Sequence, residues 1–351
     1  MSAETVSLVI PVRNEGPRVA VTLDSIFAGT RLPEEIIIAD GRSTDDTVAR
    51  CAPYRDRGVR LTVVDNPEVY SGGGRNAGVA ASSGSIIVLA DCGNTVASDW
   101  LEQMVQPFLS DPAVDLVCGI FTPLVDSDFE HCYAAIQHFQ NYHLEEYADA
   151  ELEAIRPAII LPGGGTIAMR RSVFERVGGY PSWLHRAQDK LFSRKAYALG
   201  VRVAVSWHAR IQHHMRSNVR SAAQISFQYG RGNGRSRYLS RHTIKLAFIY
   251  AALLGGCALS VLWPPAGLPT LAFLIYYTYR AGVRKAWQLA RGRSRIRLLP
   301  HAALVLWARD LGTVAGHLVG WCEWLFKPSL RRLFWSYMRD APRERIMFLE
   351  P

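Results

Sequence analysis

The chain has 351 residues, a formal net charge of +9 and six cysteines. Its length allows more than one domain, and the cysteines form no C-x-x-C pair, which argues against a zinc site or a disulfide framework. Basic residues flank apolar segments in the last third of the chain, and this pattern favours an anionic membrane surface over nucleic acid as the partner.

The first third of the chain alternates short apolar runs with segments of helical spacing. The runs cover residues 6–12, 35–40, 59–64 and 86–90. Residues 86–89 are continuously apolar and rich in β-branched side chains, which is typical of a strand covered on both faces. Strands and helices that alternate at this spacing predict right-handed crossovers and a parallel sheet.

Two polar segments between these runs carry local signals. Ser43, with Asp46 three residues later, predicts a cap that opens a helix. Residues 71–78 predict a glycine-rich loop that leads into a short helix. This segment matches neither G-x-x-x-x-G-K-[ST] nor G-x-G-x-x-G in the required position, which disfavours a phosphate-loop NTPase and a dehydrogenase.

Two acids stand directly after buried strands, Asp40 after the second run and Asp91 after the fourth. In open α/β sheets, ligands bind at the carboxyl edge of the strands. A carboxylate there is placed to meet a ribose hydroxyl or a metal ion that carries a diphosphate. The two acids and the glycine-rich segment therefore predict a nucleotide diphosphate site. The alternative for Asp91 is that it only caps the following turn.

Four segments, taken in order, resemble the family 2 glycosyltransferases. They are residues 9–15, residues 40–47, residues 75–78 and Asp91 after its apolar strand. The resemblance implies an inverting enzyme of the GT-A fold, a Rossmann-like and mostly parallel sheet with flanking helices, which uses nucleotide-diphosphate sugars. It also implies the donor-binding residues: Pro11, Asn14 and Glu15 around the nucleotide, with Glu15 near the ribose, Asp40 at the base, and Arg75 towards the diphosphate.

The family's D-x-D motif is altered in this chain. Asp91 takes the place of its first acid, Gly93 takes the place of the second, and Asn94 follows. Because magnesium can be held by one or two carboxylates together with substrate phosphates, a divalent cation, Mg²⁺ or Mn²⁺, stays the expected cofactor. His213 or His214 could complete its ligands; the alternative is that both belong to an ordinary polar loop.

The middle of the chain resembles the acceptor side of the family. Gly164 and Gly165 belong to a glycine turn before a strand, and Gln188 with Asp189 resembles the family's E-D motif, with glutamine in place of glutamate. The resemblance makes Asp189 the catalytic base, and inversion in one displacement needs a carboxylate that takes the proton of the acceptor hydroxyl. The alternative is an acid favoured only by the dipole of a helix N-terminus. The segment from Phe129 to Tyr147 predicts a polar, aromatic helix on the surface; the alternative is that it faces a sugar acceptor.

Residues 228–235 are compared with the Q-x-x-R-W motif of processive members of the family. Gln228 and Arg231 match it, but Gly232 replaces the tryptophan. The run is similar to bacterial exopolysaccharide transferases of the succinoglycan type, which add a single sugar, and this argues against a processive synthase. Arg231 and Arg235 could bind the diphosphate of the donor or of a lipid carrier; the alternative is that they are only cations near the membrane.

The last third predicts a membrane-associated region. A helical hairpin is expected at about residues 244–281, then a basic loop at 280–297 on the cytoplasmic side. Residues 298–326 predict a helix that is interfacial or spanning, and its charges suit the interfacial alternative better. A basic tail follows. The expected domains are a catalytic domain at 1–235 and a membrane-associated helical region at 236–351.

The sequence therefore predicts a membrane-associated inverting glycosyltransferase at the inner (cytoplasmic) membrane, with its catalytic domain on the cytoplasmic face. It would move single sugars from a nucleotide-diphosphate sugar to a lipid-linked or growing glycan acceptor. Membrane lipids and polysaccharide-assembly proteins are further expected partners, and nucleic acid is not. The alternatives are a polyprenyl-phosphate sugar transferase and a catalytically inactive GT-A scaffold that binds nucleotide or partner proteins.

Overall fold

A computed structural model describes residues 4–138 and 165–342. Within these ranges the strands form one eight-stranded sheet of order β3-β2-β1-β4-β7-β6-β8-β5. The strands are β1 (Val6–Val12), β2 (Glu35–Asp40), β3 (Arg60–Asp65), β4 (Ile86–Ala90), β5 (Thr95–Val96), β6 (Leu116–Leu124), β7 (Thr166–Arg170) and β8 (Val203–His214). The four predicted strands of the first third are all present.

The first half of the sheet is parallel. Strand β1 lies between β2 and β4 and pairs in parallel with both, and β2 pairs in parallel with β3. All five residues of β4 are buried, as a strand covered on both faces requires. The parallel pairing predicted from the spacing is therefore found for these four strands.

The second half of the sheet is mixed. Strand β7 runs antiparallel to both β4 and β6, β6 and β8 are parallel, and the short β5 is antiparallel to β8. A mixed sheet with helices on its faces fits the GT-A fold.

The helices of the described residues cover both faces of the sheet and continue beyond it. They are α1 (Arg18–Phe27), α2 (Ser71–Ala80), α3 (Trp100–Ser110), α4 (Asp128–Gln137), α5 (Arg171–Val177), α6 (Gln188–Ala198), α7 (Val219–Arg235), α8 (Arg241–Leu262), α9 (Gly267–Thr278), α10 (Arg284–Gln288), α11 (Arg295–Phe326) and α12 (Pro328–Tyr337). Short 3₁₀ segments lie at Ala49–Tyr54 and Pro264–Ala266, and a π-helical turn lies at Tyr279–Val283.

Two local predictions of the first third are wrong. Ser43 opens no helix, because its hydroxyl donates to Asp40 at 2.6 Å. The glycines of residues 71–78 lie within α2 and not in a loop. A Cβ on Gly78 would lie 2.3 Å from the Val9 side chain, so the glycines let this helix press onto β1.

Three further predictions need correction in the middle and the last third. Helix α4 lies in the core rather than on the surface, because Cys132 and Ala135 pack among residues of α11. His213 and His214 belong to β8 and not to a loop. The expected basic loop at 280–297 is helical except for about residues 289–294.

The C-terminal helices are continuous with the catalytic half. Helices α8 and α9 pack against each other across the turn at Pro264–Ala266, and a Cβ on Gly256 would lie 2.5 Å from the Thr270 hydroxyl. In the described part of the chain, Arg241–Leu262 is the one helix with the length and apolar composition needed to cross a membrane. The 32-residue α11 packs on α4 and along α7.

Candidate active site

The predicted donor acids lie on one edge of the sheet. Asp40 ends β2 opposite Val12 of β1, and Asp91 directly follows β4, which pairs with the other side of β1. Because one strand separates them, the two acids lie at ends of strands about 10 Å apart. This edge is the carboxyl edge of the parallel strands, as the sequence predicted.

The carboxylate of Asp40 organises the loop that follows it. It accepts hydrogen bonds from the Ser43 amide at 3.2 Å and from the Ser43 hydroxyl at 2.6 Å. The same hydroxyl accepts from the Asn14 amide at 2.9 Å. The Asn14 side chain accepts from the Thr44 amide at 2.8 Å, which fixes Asn14 at a φ of 52°. These hydrogen bonds therefore link the loop after β1 to the loop after β2, on the side of the site where the nucleotide is expected.

Glu15 joins this pair of loops to the end of β4. Its amide donates to the Thr47 hydroxyl at 2.8 Å. Burial raises the pKa of its carboxyl, and the nearby Asp91 adds to that effect while Arg18 opposes it. A Cβ on Gly93 would lie 3.9 Å from a Glu15 carboxylate oxygen, so the glycine in the altered motif faces Glu15.

Arg75 is a buried cation between the two halves of the site. Its side chain is 3% exposed, and Nη2 donates to an Asp91 carboxylate oxygen at 2.7 Å. The guanidinium lies over the Tyr180 ring, 5.0 Å from its centroid. Burial disfavours the Arg75 cation, but the charges of Asp91, Tyr180 and Asp189 outweigh it and raise the Arg75 pKa. Its Nε and Nη1 find no hydrogen-bond partner among the described residues.

Asp189 lies in the first turn of α6, directly after the buried Gln188. Lys190, the next residue, lies over the Tyr229 ring, with Nζ 5.8 Å from its centroid. The turn before the helix is held in place, since Ala187 has a φ of 62° and the Gln188 amide side chain donates to the Ser71 hydroxyl at 2.6 Å. A non-glycine residue at positive φ persists only where its surroundings enforce it.

Helix α7 enforces that turn. A Cβ on Gly232 would lie 2.3 Å from the Arg186 carbonyl oxygen, so only a glycine allows α7 to pack this closely. Gly232, the position where processive relatives carry tryptophan, therefore has a packing role beside Asp189.

The residues that could hold a cation are few. Asp91 and Asn94 both lie beside Gly165, whose Cβ, if present, would be 3.3 Å from Asp91 Oδ2 and 3.7 Å from Asn94 Nδ2. His213 Nδ1 lies 2.7 Å from Asn94 Oδ1, and burial lowers the His213 pKa, which favours the neutral ring. His214 is exposed and, as the next residue along the strand, points to the opposite face, so the structure does not support it as a ligand.

This set fits a divalent cation only with substrate oxygens. The described residues contain no group of three or more His, Cys, Asp or Glu side chains arranged to hold a metal. Asp91 Oδ2 has no hydrogen bond within these residues, and one carboxylate together with diphosphate oxygens suffices for magnesium.

The remaining predicted residues are placed as follows. Pro11 lies under α2, where a Cβ on Gly74 would be 2.8 Å from its side chain. Gly164 lies outside the described residues. Gln228 accepts a hydrogen bond from Arg186 Nε at 3.1 Å. Arg231 and Arg235 both pair with Glu323 of α11, Arg231 through Nη2 at 2.5 Å and Arg235 through Nε at 2.6 Å.

Sequence reasoning missed three residues of this region. The Tyr180 ring packs against the Arg75 guanidinium, the Tyr229 ring lies under Lys190, and Glu323 pairs with both arginines of α7. Tyr180 directly follows the Gly178-Gly179 turn, which was a usable signal. Glu323 lies 88 residues after Arg235 and gave no local signal.

A family model described as "Glycosyl transferase family 2" matches residues 7–178. Residues 7–178 therefore form a glycosyltransferase family 2 domain. The resemblance found in the sequence is therefore confirmed, and the protein is a glycosyltransferase.

Two curated relatives and one solved structure illustrate the likeness. The glycosyltransferase is 27% identical over 238 residues to the O-antigen chain rhamnosyltransferase RfbN of Salmonella typhimurium (strain LT2), covering 67% of this chain and 74% of that one. It is 24% identical over 237 residues to the succinoglycan biosynthesis protein ExoA of Rhizobium meliloti (strain 1021), covering 65% and 69%. The mannosyltransferase PcManGT from Pyrobaculum calidifontis, in complex with GDP-Man and Mn²⁺, has a TM-score of 0.53 at 22% identity and covers 93% and 89%, which shows the fold.

Proposed function

We propose that this glycosyltransferase is a membrane-associated inverting enzyme that adds a single sugar to a lipid-linked or growing glycan acceptor. The observation that carries the proposal is the ion pair between the buried Arg75 and Asp91, and the charge of Asp189 also acts on Arg75. We infer that a donor-side acid, a candidate base and a cation share one site, as a single displacement at an anomeric carbon requires.

The donor nucleotide would bind along the edge formed by β1, β2 and the loop after Asp40. Asn14 and Ser43 hold that loop, and Glu15 is the carboxyl nearest the ribose side in the family pattern. The diphosphate would then lie towards Arg75, whose unpartnered N–H groups are donors for phosphate oxygens. A bound Mg²⁺ or Mn²⁺, held by Asp91 Oδ2 and diphosphate oxygens, would neutralise charge on the leaving group.

Asp189 would act as general base. Its carboxylate takes the proton of the acceptor hydroxyl as that oxygen forms a bond to C1 of the sugar, and the bond from C1 to the diphosphate oxygen breaks. The nucleoside diphosphate leaves with the electron pair of that bond, and Arg75 stabilises the charge that it gains. Because attack occurs opposite the leaving group, the configuration at C1 inverts.

The acceptor class is proposed from two supports. Relatives of this chain are named for O-antigen and succinoglycan synthesis, both of which build polysaccharide. The apolar helix Arg241–Leu262 supports attachment to a membrane, which we propose to be the cytoplasmic membrane with the catalytic domain on its cytoplasmic face. Gly232 in place of tryptophan supports single addition over processive synthesis.

Replacement of the candidate base tests the mechanism. For Asp189→Asn we expect kcat for sugar transfer to fall about 10²- to 10⁴-fold, since the amide cannot take a proton. Binding of the nucleoside diphosphate should stay unchanged, because the proposal assigns Asp189 to the acceptor hydroxyl and not to the donor. Transfer is measured as nucleoside diphosphate release from a panel of UDP-, GDP- and dTDP-sugars with Mn²⁺, in detergent. The exposed Asp56→Asn, at the far side of the sheet, is the matched control.

Three other outcomes would each contradict the proposal. Substantial transfer by Asp189→Asn to a polyprenyl phosphate would show that a lipid phosphate is the acceptor, because a phosphate needs little deprotonation. Nucleotide binding without release or transfer from any donor would show a scaffold and not an enzyme of this kind. Retention of the anomeric configuration in the product would exclude the single displacement.

A further inference from the structure

We propose that the outward face of α11, together with α12, lies flat against an anionic phospholipid bilayer and orients the catalytic domain there. The proposal rests on the membrane association proposed above and deepens it by naming the contact surface and the lipid class. Its support is the pattern of exposure and charge on these two helices.

Helix α11 exposes a leucine stripe, which is defined by Leu304, Leu311, Leu318 and Leu325. Their side chains are 49%, 53%, 63% and 49% exposed, and their seven-residue spacing places them on one face. Cys322, also exposed, lies on the same face. The stripe runs for about 32 Å at 1.5 Å per residue.

The leucine stripe carries no charge. Between residues 304 and 326 the sequence holds three charged side chains, and each of them faces protein. Arg309 and Asp310 are buried and paired with each other, and Glu323 pairs with Arg231 of α7. An exposed apolar face of this length is one that a soluble surface rarely carries and that acyl chains cover well.

The opposite side of α11 shows why the helix must lie flat. There Gly312, Gly316 and Gly320 pack against the backbone of α7, and a Cβ on Gly316 would lie 2.1 Å from the Phe227 carbonyl oxygen. Helix α7 runs alongside α11. It contains Arg231 and packs against the turn before Asp189. An upright α11 would draw these polar groups into the hydrocarbon, where charges are costly.

Helix α12 supplies the groups that recognise anionic headgroups. A cleft of about 640 Å³ beside it is lined by Arg331, Arg332, Trp335 and Arg339, among others. Arg332 and Arg339 are exposed and have no ion pair within the described residues, and Trp335 is 41% exposed. Arginine beside tryptophan suits the boundary between headgroups and acyl chains, and the basic charge selects acidic lipids.

The inner face of α12 connects this surface to the catalytic helix. Phe334 and Met338 are buried and pack in one cluster with Leu191 of α6. The Tyr337 hydroxyl donates to the Gly179 carbonyl at 2.8 Å. Because α6 begins next to Asp189, the contact with the bilayer would set the position of the candidate base relative to the lipid.

A fluorescent label on Cys322 tests the contact directly. Cys257→Ser leaves Cys322 as the one exposed thiol of the described residues, so a nitrobenzoxadiazole label attaches to the leucine stripe. In phosphatidylcholine vesicles that contain phosphatidylglycerol, we expect doxyl-labelled lipid to quench this label and aqueous iodide not to. The control carries Cys257→Ser, Cys322→Ser and Asp56→Cys, and its label should be quenched by iodide alone.

Two results would overturn the proposal. Iodide quenching at Cys322 that equals the control would show that the stripe faces water. Energy transfer between labels on two chains, without quenching by lipid, would show that a second copy covers the stripe. Neither readout depends on sugar transfer, so an inactive protein would still give an answer.

The arginines are tested with the same label. Arg332→Gln should lower the quenching by doxyl lipid in vesicles with phosphatidylglycerol to the level seen in phosphatidylcholine alone, and the exposed Arg55→Gln should not. Equal quenching by both variants would refute a role for anionic headgroups.

Discussion

At the scale of single residues, the site contains a buried arginine whose N–H groups are not all hydrogen-bonded by the described residues. Arg75 is buried against the Tyr180 ring and forms an ion pair with Asp91, while Nε and Nη1 have no hydrogen-bond partner in the described part of the chain. A buried donor without an acceptor costs about 1–3 kcal/mol. We infer that this cost is retained because the free donors serve the diphosphate.

Replacement of this arginine should therefore separate stability from activity. For Arg75→Met we expect an unchanged or higher Tm, because an apolar side chain of similar length removes the unpaired donors and the Asp91 carboxylate, 42% exposed, stays hydrated. The kcat/KM for the donor should fall by about 10²-fold or more, since one charge-stabilising group is lost from the transition state. Thermal unfolding and steady-state kinetics measure the two effects, and a lowered Tm would show that Arg75 is mainly structural.

A second residue predicts how stability depends on pH. Burial opposes ionisation of Glu35, but hydrogen bonds from Ser7 and Ser83 and the ion pair with Arg60 outweigh it and bring its pKa to about 2. Since this value is below that of the unfolded chain, the ionised form stabilises the fold. That contribution is fully present above about pH 4.5, at most about 3 kcal/mol, and is lost as the pH falls towards about 2.

Unfolding by urea at pH 6 and pH 3 measures this dependence. Glu35→Gln should be less stable than the parent at pH 6 and should lose less stability between the two pH values. An equally steep pH dependence in the variant would assign the effect to other carboxylates.

At the scale of elements, glycine decides which helices touch. In α2 the glycines allow contact with β1, and in α7 and α11 they allow backbone-to-backbone contact. Local sequence rules take clustered glycines as a sign of a loop, and for α2 this gave the wrong prediction. Apolar runs were more reliable, because β1, β2 and β4 are buried along nearly their whole length and no polar face had to be assigned.

A methyl group at one of these contacts should slow the reaction. For Gly232→Ala we expect kcat to fall by about 10²-fold with donor affinity unchanged, because the Arg186 carbonyl must move and the turn before Asp189 moves with it. The matched control is Gly255→Ala in α8, where a Cβ meets nothing within 4 Å. That variant should keep full activity and gain about 0.5–1 kcal/mol of stability. Equal activity of the two variants would exclude the positioning role of Gly232.

At the scale of the whole molecule, the sequence predicted the edge of the sheet on which the donor acids lie, but not the way in which the C-terminal helices join it. Asp40 and Asp91 were found from the strands that precede them. The partners of Arg231 and Arg235 were not, because Glu323 is distant in sequence and its charge was interpreted as a feature of an interfacial helix. Pairing across such distances depends on tertiary packing, which no local pattern records.

The two faces of α11 restrict how this helix can change in length. The close packing of α7 requires Gly312, Gly316 and Gly320 to lie on the face of α11 that contacts α7. The leucine stripe stays exposed only while it lies on the opposite face. One inserted residue would rotate everything after it by about 100°, which would turn leucines towards α7 and glycines outward. Relatives should therefore differ here by substitution much more than by insertion or deletion, and among insertions one of four residues, close to a whole turn, would disturb the helix least.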